Sequence, residues 1–458
     1  MSTKGGPAES TVQWGFSWLY GSGDMIEGLL ASEENLQQAL TEGQLGAAVQ
    51  QTLAPFAAKK VLLLHPDYSR TDFSDVLFRL IYQTLAERGL QRLDTLNAAG
   101  THRPMLDQEK LAKLGIRDRA QYPALGEMAD HVAQPSELVG AGEISAEFMR
   151  EKTQGRWPHA IPIKVNARLH GSYDLIIAIS GTVPHEAAGF AGGLKVFFPG
   201  VSGTEVIDGL HWAAVQMGIP RLIGQIENPG RDVINEGAKS IFATTRTPMV
   251  SFNMVFQENH DAVTPHGLYT GAGYAGFIAA YTAAARASSQ LHIIRIDKPL
   301  DTVVQALSPA YDEVWTAGKG SYKLQSPGVI APGGEIILYQ PNIHCFHSNA
   351  RMDQAIRQIG YHSLDYVLHW LESCPDFDRN VAAHVINVRG SARYDRASRA
   401  ESGFAFKVSL ATGIPEEQCK AMNLNYRNPA TLQREFAQLP GNKLWIDNGG
   451  KMLYALGG

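Results

Sequence analysis

Three short segments of this chain place reactive side chains directly after apolar runs. Asp67-Tyr68-Ser69-Arg70 follows KVLLLHP, Thr101-His102-Arg103-Pro104 follows LDTLNAAG, and Gly181-Thr182-Val183-Pro184-His185 follows DLIIAIS. Unperturbed imidazole titrates near pH ~6.5, so His102 and His185 suit acid–base work around neutrality. An arginine beside them, Arg70, suits a carboxylate, which a guanidinium can grip with two hydrogen bonds. In open α/β sheets, ligands bind outside the carboxyl ends of the strands. If the three apolar runs are strands of one sheet, Asp67, Arg70, His102 and His185 converge on one crevice.

The densest chemistry lies just beyond, in PHEAAGFAGGLKVFFPGVSG (184–203). Gly189, Gly192 and Gly193 would let the backbone approach a ligand, and amides there could hold a phosphate. Lys195 comes next, flanked by Leu194, Val196, Phe197 and Phe198. A lysine in apolar surroundings loses proton affinity and can serve as a nucleophile or attachment point. The competing reading is a lysine whose ammonium reaches the surface. His211 sits on the next helical pattern, where a lone histidine is more often packing than ligand.

Such side chains need a scaffold, and the pattern of elements supplies one. The runs at 59–66, 92–100 and 174–180 read as buried strands. FSDVLFRLIYQTLAERG, the second half of THRPMLDQEKLAKLG, and TEVIDGLHWAAVQMG read as helices. A first strand is a candidate at TVQWGFSWLYG (11–21), with further strands at 248–257, 291–296, 312–317 and 334–339. Alternating strands and helices predict an α/β fold of mainly parallel sheets flanked by helices. Residues 1–270 are expected to form an N-terminal catalytic domain, and 271–290 an Ala-rich connecting helix. Residues 291–458 would form a C-terminal α/β domain, leaving the active site in the interdomain cleft.

Composition bounds the partners. The 458 residues carry 40 Lys and Arg against 45 Asp and Glu, a net charge of −5. That balance argues against nucleic acid, whose phosphates require a basic surface. The stretch from Gly267 to Ala285 is nearly bilayer-spanning in length but is built of Gly, Ala, Thr and Tyr, so no membrane association is expected. Three scattered cysteines and an N-terminus without an apolar leader fit a reducing, cytoplasmic setting.

Two other motifs compete. Gly271, Gly273 and Gly276 form GxGxxG with Asp297 about 20 residues later, the spacing of a dinucleotide fingerprint. The polar stretch QENHDAVTPHGLYT before it argues instead for close packing of a Gly/Ala helix. His344 and His347 form His-x-x-His without an evident third ligand. GKGS at 318–321 is no phosphate-binding loop, because Glu313 stands where its first glycine belongs.

The segments DYSR, AAGTHRPM and PHEAAGFAGGLKVFFPG, followed by His211, resemble the nickel-dependent lactate racemase family. The ten-residue step from His185 to Lys195 and the sixteen-residue step from Lys195 to His211 both fit its pattern. The resemblance covers about 60–215. It implies nickel held in a nickel-pincer nucleotide (pyridinium-3,5-bisthiocarboxylic acid mononucleotide) joined covalently to Lys195, with His211 as the metal's protein ligand. It implies His102 and His185 as the acid–base pair, Asp67, Gly189, Gly192 and Gly193 near the cofactor, and Arg70 on the substrate carboxylate. The expected function is racemisation or 2-epimerisation of a small 2-hydroxy acid. A hydride would leave C2 for the cofactor and return through a 2-keto acid. Cofactor-synthesis enzymes would be partners during maturation. Two departures stand out. Ala191 replaces a frequent serine in GFSGG, and the segment AGKGSYKLQSPG, offering Lys319, Tyr322, Lys323 and Gln325, is spaced differently from the family's C-terminal substrate segment. Lys323 and Gln325 are the candidates there for substrate contact, and the changed wall suggests a substrate other than lactate. The alternatives are an NAD-dependent 2-hydroxy acid dehydrogenase and a non-catalytic nucleotide- or metal-binding protein.

Overall fold

The structure is a computed structural model, and residues 26–68, 70–100, 102–258, 262–309 and 311–457 are described. The candidate first strand at 11–21 lies outside them. The N-terminal sheet has seven strands in the order Gly28–Glu34, Val263–Ala272, Met249–Glu258, Leu175–Gly181, Lys60–His65, Arg92–Asn97 and Leu125–Asp130. The last five are mutually parallel. The first two run antiparallel at one edge. Buried runs such as Val61–Leu64 and Leu175–Ile179 form its centre, as expected of strands covered on both faces. The helix Ser74–Ala86 shows how one face is covered: Leu77, Phe78, Ile81, Tyr82 and Leu85 recur at helical spacing and are buried.

A second sheet of five parallel strands has the order Asn425–Tyr426, Lys407–Thr412, Ile330–Gln340, Leu300–Leu307 and Lys443–Gly449. The two halves share the helix Thr204–Met217. Its Leu210, Ala213 and Met217 join the core beneath the first sheet, while Trp212 and Val215 join the core of the second. Beside it, Ile293–Ile296 pairs in parallel with Leu453–Leu456, so the end of the chain returns to where the second half begins.

Two expectations are corrected. DEVWTA forms the short helix Val314–Ala317 rather than a strand. Its β-favouring Val and Trp are overridden by tertiary bonds, with Trp315 N–H donating to the Phe346 carbonyl at 2.9 Å. The Gly267–Ala285 stretch is not one helix. Val263–Ala272 is a strand between two neighbours, and the helix begins at Gly273 and runs to His292. A strand therefore does lead straight into the GxGxxG helix, against the sequence reading. The glycines nevertheless serve packing: a Cβ at Gly276 would lie 2.4 Å from the Gly28 carbonyl oxygen, and one at Gly271 2.1 Å from that of Gly276. Ala280, Ala284 and Ala287 bury the same helix against Val255 and Tyr269 of the first sheet.

Candidate active site

The strands Leu175–Gly181, Lys60–His65 and Arg92–Asn97 are immediate neighbours in the first sheet, so the three reactive segments leave from adjacent carboxyl ends. Asp67 is the buried member of its pair with His102, at 3% exposure against 44%. The His102 Nδ1 lies 2.5 Å from the Asp67 carboxylate. A carboxylate only accepts, so Nδ1 carries the proton and neutral His102 presents a lone pair at Nε2.

One short helix, Asp107–Lys113, ties the two loops together. The Lys113 ammonium donates to the Arg70 carbonyl at 2.6 Å and to buried Asp72 at 2.6 Å. Glu109 at its other end accepts both arms of Arg103 at 2.8 and 2.6 Å. That bidentate pair, with the Leu106 amide, holds Glu109 down at about 2. Ser69 and Thr101 of these loops lie outside the described residues.

His185 has the opposite hydrogen-bonding pattern. The Ala187 N–H donates to His185 Nδ1 at 3.1 Å, so Nδ1 accepts and the neutral ring carries its proton on Nε2. Burial pushes the His185 imidazole well below its ordinary range, and the charges of Lys195 and Arg70 act in the same direction against the opposing Glu186. Glu186 is held below the ordinary carboxylate range: burial works against its charge, but a protonated His185, its own backbone amide, and the Lys319 and Lys323 ammoniums favour it. In their neutral forms the two imidazoles are thus differently prepared, one presenting a lone pair at Nε2 and the other an N–H there.

Two amides of the loop are already engaged. Ala191 N–H donates to the Val183 carbonyl at 2.8 Å, and Gly193 N–H to the Asn253 side chain at 2.9 Å. Gly189, at φ +75°, is required by close approach, since a Cβ there would sit 1.9 Å from the Gln225 carbonyl oxygen. Gly193, at φ +62°, packs on the Tyr281 ring. The loop is therefore a shaped support for Lys195. Burial lowers this lysine to about 8, with Arg70 and Arg231 adding to the effect. Burial also lowers His211, on the shared helix, to about 4, and Lys195 and His102 contribute. Asp67, Arg70, His102, His185, Lys195 and His211 accordingly form one electrostatic cluster.

The second half of the chain adds Lys319 and Lys323 to it. Both feel Glu186 and Arg70, and burial brings Lys323 down to about 8. The Lys323 ammonium donates to the Pro184 carbonyl at 3.0 Å. Gln325 is not brought to the cluster's hydrogen bonds. Its amide donates to Ser321 and to the Asn387 carbonyl at 3.0 and 2.7 Å. It lines a separate cavity of about 480 Å³ between the two halves. His347 lies 3.4 Å from Glu313 and accepts from Asn349 N–H, and His344 packs against Gly413. Sequence reasoning overlooked Glu186, Lys113 and Arg231. Glu186 was visible beside His185, whereas nothing local in NPGRD marks Arg231 as a core residue.

Among the described residues, no group of three or more His, Cys, Asp and Glu is arranged to hold a metal ion. The cluster offers His211, an imidazole that burial keeps neutral, and Lys195, a lysine that is deprotonated more readily than usual. That donor set fits a metal that arrives with most of its own ligands on an organic carrier, because imidazole coordinates in its neutral form.

Residues 24–219 match the family described as the lactate racemase N-terminal domain. A lactate racemase from Thermoanaerobacterium thermosaccharolyticum is 24% identical over 235 residues, 51% of this chain and 50% of that protein. The chain thus spans about half the length of that curated relative. A crystal structure of a protein from Thermotoga maritima superposes with a TM-score of 0.81 at 46% identity, covering 93% of this chain and 100% of that one. The lactate racemase apoprotein from T. thermosaccharolyticum shares the fold, with a TM-score of 0.65 at 17% identity over 94% and 95% of the two chains. No helix among the described residues is long and apolar enough to cross a membrane.

Proposed function

We propose, from the match of residues 24–219 to the lactate racemase N-terminal domain, that this chain is a racemase or 2-epimerase of 2-hydroxy acids, working between its two halves with a nickel-pincer nucleotide on Lys195. The observation that carries the reading is the complementary state of the two neutral imidazoles, His102 presenting a lone pair at Nε2 and His185 an N–H there. Inversion at a carbinol carbon needs one group to take the hydroxyl proton and another to supply it, and the roles exchange with the direction of reaction. When bound, the cofactor supplies the acceptor for the C2 hydride and the nickel that His211 would ligate.

The remaining work falls to the chain itself. Arg70 orients the substrate carboxylate through its guanidinium fork. Asp67 keeps His102 in the tautomer that accepts at Nε2 and stabilises the imidazolium once it has taken the proton. His185, low in proton affinity, is a ready donor after protonation and a weak base before it. Lys195, lowered to about 8, is a better nucleophile at neutral pH than an ordinary lysine, as attachment of an acyl-type group requires. Synthesis enzymes for the cofactor are the maturation partners this reading needs.

The test is the intact mass of protein expressed with those synthesis enzymes, with peptide mapping around Lys195. An adduct on Lys195 containing pyridine, phosphate and sulfur is expected. An unmodified Lys195 under conditions that load a known lactate racemase would overturn the reading.

A further inference from the structure

Between His185 and Lys195 the chain makes a tight excursion, and its carbonyls turn inward onto a single side chain. Arg231, 3% exposed, donates from Nε to Ala188 O at 3.3 Å, from Nη1 to Gly192 O at 3.3 Å and from Nη2 to Phe190 O at 2.5 Å. Its guanidinium lies 3.7 Å from the Tyr281 ring centroid. The same ring carries Gly193 on its side, and the Tyr281 hydroxyl donates to Ala188 O at 3.4 Å. Arg231 takes part in no ion pair with a carboxylate among the described residues. A buried cation is costly, and here three peptide dipoles and an aromatic face provide its compensation.

We propose that Arg231 is a positioning residue of the active site, a peg around which the 186–194 loop is wound and which sets His185 and Lys195 relative to each other. The helix Pro229–Thr244 that bears it begins under the loop. Asn228 caps this helix by accepting from the Arg231 N–H at 2.9 Å and donates to Gln225 O at 2.8 Å. Gly230 is close enough that a Cβ would meet Ala187 O at 2.3 Å. Arg231 touches no reacting atom, so its effect passes through the loop. The proposal rests on the functional reading only for what Lys195 carries.

The test uses the full-length apoprotein, so it does not depend on cofactor loading. In Arg231→Met, amide hydrogen exchange at Ala191, Gly193 and Lys195 is expected to accelerate by at least about tenfold, while protection in Lys60–His65 and Leu175–Gly181 is retained. Acylation of Lys195 by a small amine-reactive probe should change relative to the surface lysines. Arg231→Lys keeps the charge but not the fork, and should not restore protection. It also serves as the test variant if the methionine protein does not fold. Unchanged loop protection in either folded variant would overturn the proposal. So would full rescue by lysine, or a loss of protection spread equally over the sheet. Failure of Lys195 loading in the unmodified protein would overturn the functional reading and leave this result standing.

Discussion

The Lys323 ammonium sits 3.0 Å from the carbonyl oxygen of Pro184, the residue before His185. The second half of the chain thus holds the strand end that carries one of the two imidazoles. A hydrogen bond from a charged donor contributes about 1.5–3 kcal/mol. Lys323→Met is expected to lower the unfolding free energy by about that amount, read as a lower urea midpoint at an unchanged slope. A midpoint equal to the parent's would show that the contact does not tie the halves together.

Replacing either imidazole should separate chemistry from loading. His102→Asn and His185→Asn are each expected to reduce inversion of a 2-hydroxy acid by about 10²–10⁴-fold, with the Lys195 adduct still seen by mass. Asp67→Asn should cost less than His102→Asn, because an amide oxygen can still accept from Nδ1. Normal inversion in both histidine variants would remove them from the mechanism.

The GxGxxG segment offers a clean discrimination from a dehydrogenase. Gly276→Ala would press a methyl group onto the Gly28 carbonyl and should destabilise the fold by about 1–3 kcal/mol. Titration of the parent with NAD should give no binding isotherm. Reduced nicotinamide formed from a 2-hydroxy acid would instead support the dehydrogenase reading.

Acid should unfold this protein through its buried histidines. Burial holds His65 at about 4 and His384 at about 3, whereas both titrate near 6.5 in the unfolded chain. Between those values the unfolded state binds more protons, so stability is full above pH ~6.5 and falls as pH drops toward 4. The loss is on the order of 3 kcal/mol at most for His65 and about 5 kcal/mol at most for His384. His384 is held between the hydroxyls of Tyr322 and Tyr361 at 3.3 and 3.1 Å. His384→Phe should flatten the dependence of melting temperature on pH below 6.5 while lowering its plateau. An unchanged slope would exclude His384 as a contributor.

Much of the first sheet was legible because its strands are buried on both faces and read as continuous apolar runs, as at Val61–Leu64 and Leu175–Ile179. The convergence of Asp67, His102 and His185 came from strand ends that prove adjacent. What was not legible depended on contacts distant in sequence. Val263–Ala272 is interrupted by Pro265, Gly267 and Gly271, and is a strand because two partners flank it. The loop glycines suggested free amides, but Asn253, sixty residues on, occupies the amide of Gly193. Gln325 stood beside Lys323 in the sequence, yet its amide turns to Ser321 and Asn387 instead.

The pairing of Ile293–Ile296 with Leu453–Leu456 gives the molecule a two-ply joint. One ply is the covalent connection between the halves, and the other is the returning tail, whose Leu453 packs onto Gly224 of the first half. A ribbon two strands wide yields out of its own plane more readily than within it or about its axis. Any opening of the halves is thereby biased toward a single hinge direction. Removing the last six residues would strip one ply from this joint and leave the covalent ply, the shared packing on the helix Thr204–Met217 and the Lys323–Pro184 hydrogen bond to hold the halves.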